Sequence, residues 1–329
     1  GIRFITTRHE QGAAYMAYGY SRGGGGIGTA LVVPGPGLQN ASAGMGTAYA
    51  ASTPMMVVSG QVNRDTIGMG LGELHELHDQ LDIVRPVTKW AGRVLHTAEV
   101  PGAVHEAFFQ LREGRPRPVE IEIPWDTLSE VDDVEVLASA PVEPLGASPE
   151  SVRRAAGALA ESSRPLIWAG GGATSSGASD SLPRLAEYLQ APVATTSEGK
   201  GVISDRHYLS LGAGAWRRDE VEDLLESSDV VLAVGTRLSR VGIKEGQQVV
   251  QIDVDAEEIG RRHANTIGVV GDTRRTLDEL YDVLSAMTPQ RASRRDEIGA
   301  VRRARFAGSP GPEPQVSRTR LASPERCAT

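Results

Sequence analysis

A single cysteine, Cys327, stands in a chain of 329 residues. With no second thiol to pair with, an internal disulfide is excluded, and a reducing cytoplasm is the expected compartment. No apolar run approaches the 18 or more residues of a membrane span, so a membrane partner is not expected. Positive charge is not in excess either. The formal charge of -8 is the reverse of the basic face that a nucleic-acid backbone requires. Lysine is nearly missing, with Lys89, Lys200 and Lys244 set against 31 arginines. Together with abundant Ala, Gly and Pro, that bias fits a GC-rich coding sequence.

What is present is an alternation of strand and helix signals over a length sufficient for two domains. "IRFIT" reads as a strand, followed by a helix from about His9, the strand "GTALVVP", a small-residue helix over 38–51 and the strand "MMVVSG". Past an irregular stretch rich in Gly and His come "RPVTKW", a helix over 98–112 and the strand "PVEIEIP". Such alternation means βαβ units and a mainly parallel sheet. Residues 126–149 are acidic and weakly periodic and read as a linker. A second alternating block spans 150–287, with strands "PLIWAG", "APVAT", "VVLAVG", "QVVQIDVD" and "TIGVVG". From Thr288 to the end, Arg, Pro and Ser dominate with little period, which reads as linker or disordered tail. The expected fold is therefore α/β, two doubly wound, mainly parallel-sheet domains at 1–125 and 150–287.

Glu10 is the awkward residue. Counting back from Ala13, Ala14 and Ala17 by three, four and seven places puts this acid on the apolar stripe of its helix. One reading is a capping box, Thr7-x-x-Glu10, in which side chains close orphan backbone donors. The other is a desolvated carboxylate with a raised pKa that shares a proton near neutrality. Gly35-Pro36-Gly37, with Asn40 just beyond, joins a strand to a helix. It reads either as a tight turn or as a place where backbone approaches a ligand. The glycines at 23–26 and 28 precede a strand and read as a loop. Gly170 to Gly172 do follow a strand, but Ser175 stands where a dinucleotide fingerprint needs its third glycine. His75, His78 and Asp79 in "GELHELHDQ" suggest zinc, yet the second histidine comes one residue too early for the His-Glu-x-x-His pattern.

In combination the segments "RHEQGAAYMAYGYSR", "VVPGPGLQNASAGMGTAYAASTPMMVVSGQV", "LDIVRPVTKW" and "REGRPRPVEIEIPWD" resemble the pyrimidine-binding domain of thiamine diphosphate enzymes of the acetolactate synthase type. "RPLIWAGGGATSSGAS", "SSDVVLAVGTRLS" and "VVQIDVDAEEIGRR" are similar to that family's Rossmann-like central domain. The resemblance implies that Glu10 is the glutamate that hydrogen-bonds N1' of the cofactor's aminopyrimidine, with Gly35 and Asn40 beside the ring. It further implies a 2-oxo acid substrate, decarboxylation or carboligation, Mg2+ held by a third, diphosphate-binding domain, and a homodimer or homotetramer. FAD is bound by the central domain in some relatives, and the sequence leaves it open here. His75 and Glu76 occupy the places of the family's Phe-Gln pair, which makes acetohydroxy-acid synthesis itself doubtful.

The third domain's Gly-Asp-Gly…Asn motif does not occur, and residues 1–125 begin after the family's first strand and helix. "EPQVS" at 313–317 resembles the start of that domain, and then "RTRLASPERCAT" resembles nothing. The expectation is a truncated or frame-shifted reading frame whose product does not turn over alone. The alternatives are a non-catalytic nucleotide-binding or regulatory module using Gly170 to Gly172, and an inactive truncated product.

Overall fold

A computed structural model describes residues 3–139, 141–213, 219–239 and 241–306. In the first block, helix α1 (Glu10–Arg22) leads to strand β1 (Gly28–Val32), α2 (Pro36–Ala50) and β2 (Met55–Gln61). The short α3 (Leu81–Val84), β3 (Trp90–Arg93), α4 (Val100–Arg112), β4 (Pro118–Pro124) and α5 (Trp125–Ser129) complete it. The second block opens with α6 (Pro149–Glu161) and β5 (Pro165–Ala169), then α7 (Gly171–Ser175) and α8 (Ser181–Leu189). Next come β6 (Val193–Thr195), β7 (Ser210–Ala213), α9 (Asp219–Glu226) and β8 (Val230–Val234). β9 (Gln248–Asp253), β10 (Thr266–Val270) and α10 (Thr273–Met287) end its sheet, and α11 (Arg295–Phe306) follows.

Every strand pair in both sheets is parallel. The first sheet has the order β1-β2-β4-β3 and the second β10-β9-β8-β5-β6-β7. Parallel neighbours need crossovers, and the crossover helices cover the faces, so the central strands can be apolar throughout. β5 and β8 are buried at every position. In the first block α1 and α2 cover one face through Ala14, Ala17, Leu38, Ala41 and Met45, and α4 covers the other through Ala107 and Leu111. Small residues let α1 and α2 ride close together: a Cβ on Gly44 would lie 2.6 Å from that of Ala14. In the second sheet the chain winds outward from β5 to β7, then returns to β8 and winds the other way. The strand order thus reverses between β5 and β8.

The α/β class with two mainly parallel sheets is as expected, and residues 130–139 and 141–148 between the blocks carry neither helix nor strand. Three features differ from expectation. "IRFIT" forms no strand among the described residues; its apolar side chains, Phe4 and Ile5, stand exposed. The edge strand β7 is not among the strands read from the sequence. The chain beyond Thr288 is also not all tail, because α11 packs Ile298 into the second core. Arginines rather than apolar periodicity tie it down: Arg291 donates to the Leu159 carbonyl at 2.5 Å and Arg302 to that of Ser210 at 2.5 Å. The expected tail from residue 307 on lies outside the described residues. No described helix is long and apolar enough to cross a membrane.

The two blocks touch through ion pairs. Arg115, ahead of β4, reaches Asp255 at 3.2 Å and Glu258 at 2.8 Å; Arg22 at the end of α1 reaches Glu198 at 2.6 Å.

Candidate functional site

Three pieces of the first block meet at the carboxyl end of its sheet. The first is the start of α1. His9 is its N-cap, its Nδ1 accepting from the Gln11 N–H at 3.1 Å, while the Thr7 hydroxyl donates to the His9 carbonyl. The Thr7–Glu10 capping box therefore does not form; a different side chain closes the helix, and Glu10 is left free for other partners. Its Oε2 accepts from the Asn40 side-chain amide at 3.0 Å. Glu10 is half-buried, not sealed in. Its own backbone N–H and then Asn40 hold its carboxyl below the usual carboxylate range, outweighing desolvation. The raised pKa, one of the two readings the sequence left open, is not found either: hydrogen bonds to the ionised form win over partial burial.

The second piece is the turn from β1 into α2. Gly35 is the N-cap of α2 with φ 58° and ψ -114°, a conformation that L side chains avoid. A Cβ there would also lie 2.4 Å from the His75 carbonyl oxygen. Two residues on, a Cβ on Gly37 would meet the Glu10 Cγ at 3.6 Å. The turn is therefore pressed between the Glu10 side chain and the third piece, the loop leading to α3. In that loop His75 takes a left-handed φ of 71°. Glu76 spends both carboxylate oxygens on the loop's own backbone, accepting from Gly70, Leu71, Gly72 and Glu73. Desolvation raises its pKa, but those four donors outweigh it and leave the group below its usual range. Glu10, Gly35 and Asn40 come together, and His75 adjoins them.

Beneath the turn lies a polar network that the sequence reading missed. Glu120 and Glu122 point to the α1–α2 face of β4, and neither is exposed. Ser59 donates to Glu120 Oε1 at 2.6 Å; Arg93 pairs with Glu122 and, at 3.0 Å, with Asp79. Burial pushes the Glu120 carboxyl up to about 8, with Ser59 and Arg93 opposing and Glu122 reinforcing the shift. The signal was in "PVEIEIP": a wholly buried central strand has no ordinary use for two acids on one face.

A second concavity lies between the blocks. A cleft of about 530 Å³ opens at the carboxyl ends of β5 and β8, where the strand order reverses. Gly170 and Gly172 line it, but both are needed for backbone packing, since a Cβ on either would come within 2.7 Å of Gly235. The five-residue α7 that follows is too short to act as a phosphate-binding helix terminus. Trp168, whose buried indole N–H has no partner among the described residues, and Arg237, which donates to the Ala50 carbonyl at 2.8 Å, also line the cleft.

The donor set suits an aminopyrimidine: a carboxylate ionised at neutral pH, steadied by an amide, beside backbone where no Cβ intrudes. No group of three or more His, Cys, Asp or Glu side chains able to hold a metal occurs among the described residues.

Residues 1–85 match the family described as thiamine pyrophosphate enzyme, N-terminal TPP binding domain, and residues 152–280 match thiamine pyrophosphate enzyme, central domain. A probable 2-ketoarginine decarboxylase of Pseudomonas aeruginosa is 35% identical over 287 residues, covering 85% of this chain and 51% of that protein. A probable acetolactate synthase large subunit of Methanocaldococcus jannaschii is 36% identical over 298 residues, covering 86% and 50%. The acetolactate synthase large subunit of Lactococcus lactis is 32% identical over 299 residues, covering 88% and 52%. The chain spans about half the length of these curated relatives.

Proposed function

This chain belongs to the thiamine pyrophosphate enzyme family, and from that premise we propose that it forms the pyrimidine-binding and central domains, near 1–125 and 150–287, of an enzyme acting on a 2-oxo acid. Decarboxylation or carboligation is the reaction class. The enzyme assembles as a homodimer or homotetramer, with Mg2+ held by residues other than those described. The observation that carries the reading is the Asn40-steadied carboxylate of Glu10 beside the Gly35 turn.

In this reading Glu10 accepts a hydrogen bond from a ring nitrogen of the aminopyrimidine and shares its proton. Because it is ionised before the ligand arrives, desolvation by the ring raises its proton affinity only where the shared proton is needed. Asn40 keeps the carboxylate in one orientation, and Gly35 lets backbone stand against the ring. When bound, thiamine diphosphate supplies the electron sink that a 2-oxo acid needs in order to lose carbon dioxide. His75, whose carbonyl stands against Gly35, adjoins the turn on the side of the loop, and in this reading it bears on which 2-oxo acid is accepted.

The test is Glu10→Gln in the complete enzyme. Turnover of the 2-oxo acid should fall about 10²–10⁴-fold, the range for loss of a positioned acid–base group, while thiamine diphosphate still binds. Unchanged turnover would sink the assignment.

A nucleotide moiety, FAD or ADP, in the interdomain cleft is a compatible second reading, favoured by the unpartnered Trp168 N–H and by Arg237 in its wall. Calorimetric titration with each nucleotide tests it; no heat from either removes it.

A further inference from the structure

We propose that Gln80 is the positioning residue of the Gly35 turn, its buried amide gripping the Gly35 N–H and thereby holding the first turn of α2 against Glu10. The inference rests on the reading of Glu10, Gly35 and Asn40 as a pyrimidine site.

Gln80 is wholly buried at the head of α3. Its Oε1 accepts from the Gly35 N–H at 2.6 Å. Its Nε2 faces the Gly60 carbonyl at 2.8 Å, Ser59 Oγ at 3.0 Å and Glu122 Oε2 at 3.2 Å. The Gly60 carbonyl can only accept, as does the Glu122 carboxylate paired with Arg93, so the nitrogen must lie toward them and the oxygen toward Gly35. A flipped amide would set oxygen against two acceptors and N–H against N–H. Each neighbour is fixed in turn. Ser59, accepting from Gln80, donates to Glu120, and Arg93 clamps Glu122 and also Asp79, the residue before Gln80. A buried donor or acceptor left unmade costs more than an ordinary hydrogen bond contributes, so this arrangement is stiff.

Stiffness is what Gly35 lacks by itself. Its conformation is one that glycine adopts freely but is not confined to. Its carbonyl accepts from the Gln39 N–H at 3.0 Å and so begins α2, and Asn40 follows directly. Any drift of Gly35 moves the Asn40–Glu10 pair.

Only a primary amide of this length offers one acceptor upward and two donors downward. Glutamate is its isostere, but it can donate toward Gly60 and Glu122 only when protonated, and around it Glu122 and Asp79 share Arg93 while Glu120 keeps its own proton up to about pH 8. Gln80→Glu should therefore work in acid and fail as pH rises. The experiment measures thiamine diphosphate affinity with Mg2+ in the complete enzyme from roughly pH 5.5 to 8.5, together with hydrogen–deuterium exchange at the Gly35 amide. Relative to wild type at each pH, Gln80→Glu should bind within about 3-fold at the acid end. It should bind at least about 10-fold more weakly at the alkaline end, with Gly35 exchange rising in step. Gln80→Leu, which keeps neither contact, should exchange fast at every pH. Gly35 exchange in Gln80→Glu equal to wild type throughout overturns the proposal, as does a loss of affinity independent of pH. If wild-type protein fails to bind thiamine diphosphate while Gly35 exchange still follows the expected pH course, the grip stands and the pyrimidine-site reading falls.

Discussion

At the scale of single residues, the acids divide by what surrounds them. Glu10 was legible as an acid on an alanine stripe, but its protonation was not, because period reveals the face and not the hydrogen-bond donors upon it. Gln80 could not have been singled out: its importance is a 45-residue reach to Gly35. Glu120 carries the clearest pH signature. Unfolded, it titrates near 4.5; folded, near 8. Below the lower value both states hold the proton and burial carries no charge penalty. Between the two values the folded state must retain a proton that the unfolded state has released, so stability falls as pH rises and levels off above about 8. The slope approaches about 1.4 kcal/mol per pH unit for one proton. Glu120→Gln should abolish that slope. Denaturant midpoints measured from pH 5 to pH 8 check it, and parallel curves for wild type and variant would refute it.

At the scale of elements, most helices and strands were readable because their period and punctuation agree, as in "GTALVVP" followed by a glycine turn. Misses fall where tertiary contact overrules local pattern. "IRFIT" has a strand's composition but no ladder partner among the described residues. α11 lacks a strong apolar stripe; besides Ile298 it is held by Arg302, which reaches the Ser210 carbonyl, and by Arg291 just ahead of it, which reaches that of Leu159. The β1–α2 turn is the element most sensitive to a single methyl group. Gly35→Ala meets both an unfavourable φ and the His75 carbonyl at 2.4 Å. A cost of about 2–3 kcal/mol is expected, with weakened thiamine diphosphate binding. Chemical denaturation giving the wild-type midpoint would show that the turn had relaxed at no cost.

At the scale of the whole molecule, two sheets with separate cores are joined by few polar contacts, of which the Arg115 fork onto Asp255 and Glu258 is the most buried. Removing the arginine leaves Glu258 buried without that partner. Discounted for the partial exposure of Asp255, Arg115→Ala should cost about 1–3 kcal/mol. It should also split thermal unfolding into two transitions, one per sheet. Calorimetry reads this directly, and a single unshifted transition would mean the blocks are coupled elsewhere. The purely parallel ladders bear on how the chain is made. No neighbouring strands can zip from a two-residue hairpin, so each pairing waits for a helix-long crossover to close. Met55 meets its ladder partner on one side only when Pro118 has been synthesised. Until then a nascent chain carries the β2 edge bare, and it is at that interval on the ribosome that it is most open to a chaperone's grasp or to sticking to its neighbours.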